Sequence, residues 1–202
     1  MTEREGGTVL IVDDDREVVR TYRRYLDETY TIREAYDGEE ALDELDELDD
    51  DVDVVLLDRL MPGPSGGEVL DRIRDRGYDV RVAMVTAVDP DFDIVDMGFD
   101  DYVTKPTTRD ELRRTVEGLL ELDQHAIDVR KYHSLLVKAA ALRDGKSTYE
   151  LDENRAYTDL ESRISDLEAA LDDEAEQLID DSRFVATLRA IDTAATREDA
   201  DG

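Results

Sequence analysis

The chain has 202 residues, 55 of them Asp or Glu against 25 Lys or Arg, for a formal charge of −30. It contains no cysteine, which excludes a disulfide framework and a thiolate metal site. Its start is polar, without the basic-then-apolar order of a secretory leader, and no apolar run approaches the length of a membrane span, so a soluble cytoplasmic protein with no membrane partner is expected.

The length allows one sizeable core and a smaller second unit. After residues 1–7, read as a disordered start, Val9-Leu10-Ile11-Val12 gives the first strand. The helix that follows carries Val18, Val19, Tyr22, Tyr25 and Leu26 on one side. A second strand falls near residues 30–34. Beyond Gly38, Ala41, Leu42, Leu45 and Leu48 mark a second helix. Residues 52–57 are apolar on both faces, as a central strand of a helix-covered parallel sheet must be. Val69, Leu70 and Ile73 give a third helix, residues 80–85 a fourth strand, and Tyr102-Val103 a short fifth. Between the last two, Pro90 and scattered acids leave room only for a brief helix near residues 92–97. The unit closes with a helix carrying Leu112, Val116, Leu119 and Leu120, which Thr108 is placed to cap. Five βα units in about 120 residues imply a doubly wound, three-layer α/β sandwich.

In such a sheet the carboxyl ends of the strands share one edge. Asp13 and Asp14 follow the first strand, Asp58 follows the third, Thr86 closes the fourth and Lys105 follows the fifth. Carboxylates, a hydroxyl and an ammonium on one edge outline a phosphoryl-transfer site. Each residue also has a plainer reading. Asp13-Asp14-Asp15 could cap the first helix, with Asp15 the best placed of the three. Asp58 could be a turn residue ahead of Pro62, though a carboxylate closing the most buried strand is costly without a partner. Lys105 alone would be a solvated lysine, and Tyr102 a half-buried strand aromatic.

Val9–Asp14 with its acidic pair, Asp58-Arg59-Leu60-Met61-Pro62-Gly63 with Gly66, Met84-Val85-Thr86-Ala87 and Tyr102-Val103-Thr104-Lys105-Pro106 together resemble the receiver domain of two-component response regulators over residues 8–122. The resemblance implies a flavodoxin-like five-stranded sheet of order 2-1-3-4-5. It implies that Asp58 accepts a phosphoryl group from a phosphohistidine on a sensor histidine kinase. It further implies Mg²⁺ held by Asp13, Asp14, Asp58 and the main-chain carbonyl of Leu60, where the hard cation relieves the mutual repulsion of the acids. Lys105 and the Thr86 hydroxyl would meet the phosphoryl oxygens, Thr86 and Tyr102 would form the conformational switch, and the Lys105-Pro106 bond would be cis. Such a domain catalyses only its own phosphorylation and dephosphorylation and is not otherwise an enzyme. Many receivers dimerise through their fourth helix, fifth strand and fifth helix. The shortness of the segment between Thr86 and Lys105 makes that homodimer unsafe to carry over.

Residues 123–193 read as a small all-α unit and 194–202 as a disordered tail. The preceding helix runs on through residues 123–128 with little turn chemistry. A helix near residues 129–143 carries Tyr132, Leu136 and Ala139, and Asp144-Gly145-Lys146-Ser147 interrupts it. Tyr157, Leu160, Ile164, Leu167 and Leu171 then hold five consecutive a/d-type positions, which suits an antiparallel helical hairpin or an intermolecular coil. Phe184, Val185, Leu188 and Ile191 suggest a last short helix. His125 and His133 are too far apart to share a helical face and read as linker histidines. Arg130-Lys131-Tyr132, Asp152–Tyr157 and Phe184–Arg189 resemble the HalX domain, which follows receivers in haloarchaeal regulators described as transcriptional.

The charge fits that setting. Acids outnumber bases along the whole chain, 36 to 15 in residues 1–124 and 19 to 10 in residues 125–202, as in proteins of salt-loving archaea. Such charge opposes compaction in dilute buffer, whereas at 1 M salt the screening length falls to about 3 Å. Two outputs from different classes are open: helices that bind or dimerise with protein partners, and helices that contact DNA. No helix-turn-helix with a basic recognition helix is visible, which weighs against the second. A third reading, a phosphatase of haloacid-dehalogenase type, draws on Asp13-x-Asp15 and Asp100-Asp101. Its lysine should precede the late acidic pair, and Lys105 follows it.

Overall fold

The computed structural model describes residues 6–48, 51–122 and 127–175. The expected last helix at residues 184–191, the tail, His125 and most of the expected disordered start lie outside these residues. The elements are β1 (Thr8–Val12), α1 (Arg16–Leu26), β2 (Thr31–Ala35), α2 (Gly38–Leu48), β3 (Val54–Leu57), α3 (Gly66–Arg76), β4 (Arg81–Thr86), a 3-10 helix (Phe92–Asp96), β5 (Asp101–Thr104), α4 (Arg109–Leu122), α5 (Ile127–Gly145), α6 (Thr148–Asp152) and α7 (Arg155–Ala175). All five strands are parallel in the order β2-β1-β3-β4-β5, the order implied by the receiver resemblance.

Local chemistry accounts for the helix ends. The Asp15 carboxylate accepts from the Glu17 N–H and starts α1, while Ser65 and Glu68 form a reciprocal capping box at α3. Gly77, at φ +78°, ends α3 in the left-handed conformation that a side chain would disfavour. Ser147 and Glu150 repeat the capping box at α6. The segment after Thr86 makes only one short 3-10 helix, started by Asp91, as Pro90 and the scattered acids require.

Two apolar layers sandwich the sheet. On one side β1, β3 and β4 pack Val9, Ile11, Val54, Leu56, Ala83 and Val85 against α1 and α4. On the other side Leu10, Val55, Leu57, Val82 and Met84 meet α2, α3 and the 3-10 helix. That second layer continues without a break into the C-terminal helices, since Leu135, Ala139, Leu142, Leu151, Tyr157 and Leu160 belong to it. Helix α7 folds back on α5, with Arg143 near the end of α5 bonded to Tyr157 near the start of α7. The a/d-type seam of α7 is therefore covered within the chain, in the hairpin arrangement. His133 lies half-buried on α5, where burial lowers the pKa of its imidazole against an opposing pull from Asp100.

Candidate functional site

Parallel pairing brings the strand ends together. The N–H of Asp58 donates to the Val12 carbonyl at 2.9 Å and that of Lys105 to the Thr86 carbonyl at 2.7 Å, extending the ladder past the strands and fixing both residues on one edge. Asp13 is 3% exposed and Asp58 7%, whereas Asp14 faces solvent. Oxygens of these three carboxylates lie within 4.8 Å of one another. The Lys105 ammonium sits 2.5 Å from Asp13 Oδ2 and 3.1 Å from Asp58 Oδ1, and its peptide bond to Pro106 is cis.

The electrostatics follow from this crowding. Burial raises the pKa of the Asp13 carboxyl above its ordinary value; the Lys105 ammonium and the Asp15 N–H pull it down, and the neighbouring Asp58 charge adds to the rise. Gly66 holds the loop after β3 close to α3, because a Cβ there would come within 2.1 Å of the Asp58 carbonyl oxygen. The Leu60 side chain in this loop is 65% exposed. One lysine therefore bridges two buried acids beside a third that is open to water. Oxygen ligands this close suit a hard divalent cation.

Thr86 and Tyr102 meet at the main chain of one residue, Val88. The buried Thr86 hydroxyl accepts from the Val88 N–H at 3.2 Å, and the Tyr102 hydroxyl donates to the Val88 carbonyl at 2.7 Å. Burial raises the pKa of the Tyr102 phenol, opposed by Arg59, whose guanidinium also pairs with Asp93 on the 3-10 helix. The residues that sequence reasoning missed surround this node. Val88 and Arg59 carry no local signal, because their roles depend on partners distant in sequence. Lys138 does carry one, since it shares the buried stripe of α5 with Leu135 and Leu142.

Asp100 and Asp101 lie at the amino end of β5, on the opposite edge of the sheet. There Asp100 accepts from Arg74 and from the Val82 N–H, both at 2.8 Å. That position separates them from Asp13 and removes the geometric basis of the phosphatase reading.

Fold and site together define a doubly wound domain with three clustered carboxylates on one sheet edge, reached by a lysine. The chain belongs to the response regulator receiver domain family, which it matches over residues 9–117, and residues 121–188 match the HalX domain. A Haloferax volcanii protein provisionally named a transcriptional regulator is 47% identical over 191 residues, which is 92% of this chain and 32% of that protein. The transcriptional regulatory protein DltR of Streptococcus agalactiae is 32% identical over 161 residues, 78% of this chain and 64% of DltR. The chain thus spans from about a third to just under two thirds of the length of these relatives. Among solved structures, the response regulator TrrA of Thermotoga maritima in complex with Mg²⁺ and beryllium fluoride is 35% identical, with a TM-score of 0.51 over 56% of this chain and 99% of TrrA. A CheY-like receiver from Methanospirillum hungatei is 30% identical, with a TM-score of 0.51 over 58% of this chain and 97% of that one. No helix among the described residues is long and apolar enough to cross a membrane.

Proposed function

We propose that the chain is a two-component response regulator in which Asp58 accepts a phosphoryl group from a phosphohistidine on a sensor kinase. The N–P bond of the donor breaks as an Asp58 Oδ–P bond forms, and the histidine returns to its neutral state by the ordinary exchange of protons with solvent. The observation that carries this reading is the approach of Lys105 to Asp58 at 3.1 Å beside two further carboxylates. Mg²⁺, present with beryllium fluoride in the Thermotoga relative, would be held by Asp13, Asp14, Asp58 and the Leu60 carbonyl, and when bound would neutralise charge on the transferring group. Lys105 supplies a mobile point charge to the phosphoryl oxygens, and the Thr86 hydroxyl a hydrogen bond. Thr86 and Tyr102 act as the switch.

The relatives' names support a part in transcriptional regulation. Output through protein contacts, homodimerisation among them, is the second reading. It is favoured by the acidity of the C-terminal helices, which disfavours contact with phosphates. Acid-labile labelling from acetyl phosphate tests the phosphoacceptor. Wild type should take up one phosphoryl group and Asp58→Asn none, and stoichiometric labelling of the variant would end the proposal.

A further inference from the structure

A cavity of about 660 Å³ opens between the receiver and the C-terminal hairpin. It lies at the amino ends of β4 and β5, beside Arg81 and Asp100, on the opposite edge of the sheet from Asp58. Val95, Met97 and Phe99 form its receiver wall, and Leu135 and Leu167 its hairpin wall. Ile127, 60% exposed, stands at the rim. A cavity of this size, mostly apolar with a few charged groups, is suited to a small organic molecule.

The charged groups set the sign of that molecule. Five bases and three acids line the cavity, whereas the whole chain has 25 bases against 55 acids. Of the three acids, Asp100 is already engaged by Arg74 and by the Val82 N–H, both at 2.8 Å. Lys138 is 5% exposed, and among the described residues it forms no ion pair. Its ammonium donates to the Met97 carbonyl at 2.6 Å and the Val95 carbonyl at 3.2 Å. Two neutral acceptors solvate this charge without neutralising it. Arg163, exposed on α7 and also without an ion pair among the described residues, brings a second positive charge to the same cavity. Burial, with Arg163 adding to it, brings the Lys138 pKa down to about 8, against opposing pulls from Asp96 and Asp100. Like charges gathered at an apolar cavity, in a chain this rich in acids, call for a counter-charge that no ion pair supplies. Asp96 and Asp166 line the cavity without pairing with either base, so they oppose a polyanion and leave room for a single negative charge.

We propose that this cavity binds a small organic carboxylate, its head on Lys138 and Arg163 and its apolar body between Phe99 and Leu167. A bare halide would leave the apolar walls in water, whereas an alkyl or aryl body covers them. One wall is receiver and the other is hairpin, so the bound molecule ties the two units together and stabilises the folded chain. The site is remote from Asp58 and independent of the phosphoacceptor reading.

Titration of the full chain in molar KCl with 4-phenylbutyrate, hexanoate and octanoate, followed by NMR shifts and melting temperature, tests the site. At least one acid should bind saturably, with its largest shifts at Phe99, Leu135 and Leu167, and should raise the melting temperature. The corresponding alcohol should bind about tenfold more weakly. Lys138→Met, which keeps the apolar stem, should weaken the acid about tenfold and leave the alcohol unchanged. Arg163→Gln should weaken the acid about threefold, and because Arg163 is exposed it stands in if Lys138→Met does not fold. Lys146→Gln, just past the end of α5 and outside the cavity, should change nothing. Failure of all three acids to shift the cavity residues saturably overturns the proposal, as does equal binding of acid and alcohol or indifference to both variants. Phenyl phosphate binding more tightly than every acid overturns the choice of carboxylate.

Discussion

Replacing Asp58 with Asn should stabilise the ion-free protein while weakening its response to Mg²⁺. The three carboxylates have oxygens within 4.8 Å of one another, and Lys105 lies 3.1 Å from Asp58. At an effective dielectric of about 20, Asp13 and Asp14 together repel the Asp58 charge by about 7 kcal/mol, and Lys105 attracts it by about 5 kcal/mol. The net repulsion relieved by the substitution is therefore about 2 kcal/mol. Asp13 and Asp58 are both buried, so molar salt screens this less than it screens surface pairs. The same lost charge reduces attraction for a divalent ion, and a loss of about 2 kcal/mol there corresponds to roughly thirtyfold weaker binding. Urea unfolding at constant KCl, in EDTA and in excess Mg²⁺, measures both effects. A variant less stable than wild type in EDTA would mean that the Lys105 contact outweighs the repulsion. Equal gains from Mg²⁺ in the two proteins would mean that Asp58 is no ligand.

Because acids exceed bases along the whole chain, stability should rise between dilute buffer and molar KCl, and a gain of 3 kcal/mol would appear as roughly 10 °C in the melting temperature; a salt-independent melt refutes this. Burial raises the Asp101 carboxyl to about 6, with the Tyr102 N–H opposing and the Asp100 charge adding. The native state therefore holds this proton more tightly than the unfolded chain does, and ionisation costs stability, fully above pH 6 and not at all below the ordinary 3.8. Asp101→Asn should be more stable than wild type at pH 7 by about 1–3 kcal/mol, with the advantage vanishing as the pH falls toward 4 in parallel melts. Leu160 is fully buried in the layer shared by sheet and hairpin, so Leu160→Ala should cost about 2–5 kcal/mol in urea unfolding. An unchanged transition for the sheet would show that the hairpin contributes nothing to it.

Much of the acidic edge was legible because a strand announces its own end. The apolar runs closing at Val12, Leu57 and Thr86 placed Asp13, Asp14, Asp58 and Thr86 on one edge, since parallel strands align their carboxyl ends. The helix start at Asp15 was equally local, set by a side chain bonding an N–H two residues on; the capping boxes at Ser65 and Ser147 are as local, but the sequence reading did not pick them out. The brief helix after Pro90 was visible for the same reason.

Contacts between residues far apart in sequence were not legible. Lys105 meets Asp13 across 92 residues, and only the strand order brings their side chains together. Sequence periodicity showed that α7 has an apolar seam, but the tertiary structure decided that α5 and the receiver face cover it. Lys138 illustrates the difference most clearly. A lysine on a helical stripe ordinarily extends its charge into water, and this one is buried where it donates to the Val95 and Met97 carbonyls at the end of the 3-10 helix. Periodicity and capping are set by neighbours within a few residues, so the sequence by itself determined the elements and the chemistry at their ends. What each face meets depends on the packing of the whole chain, and that only the tertiary structure decided.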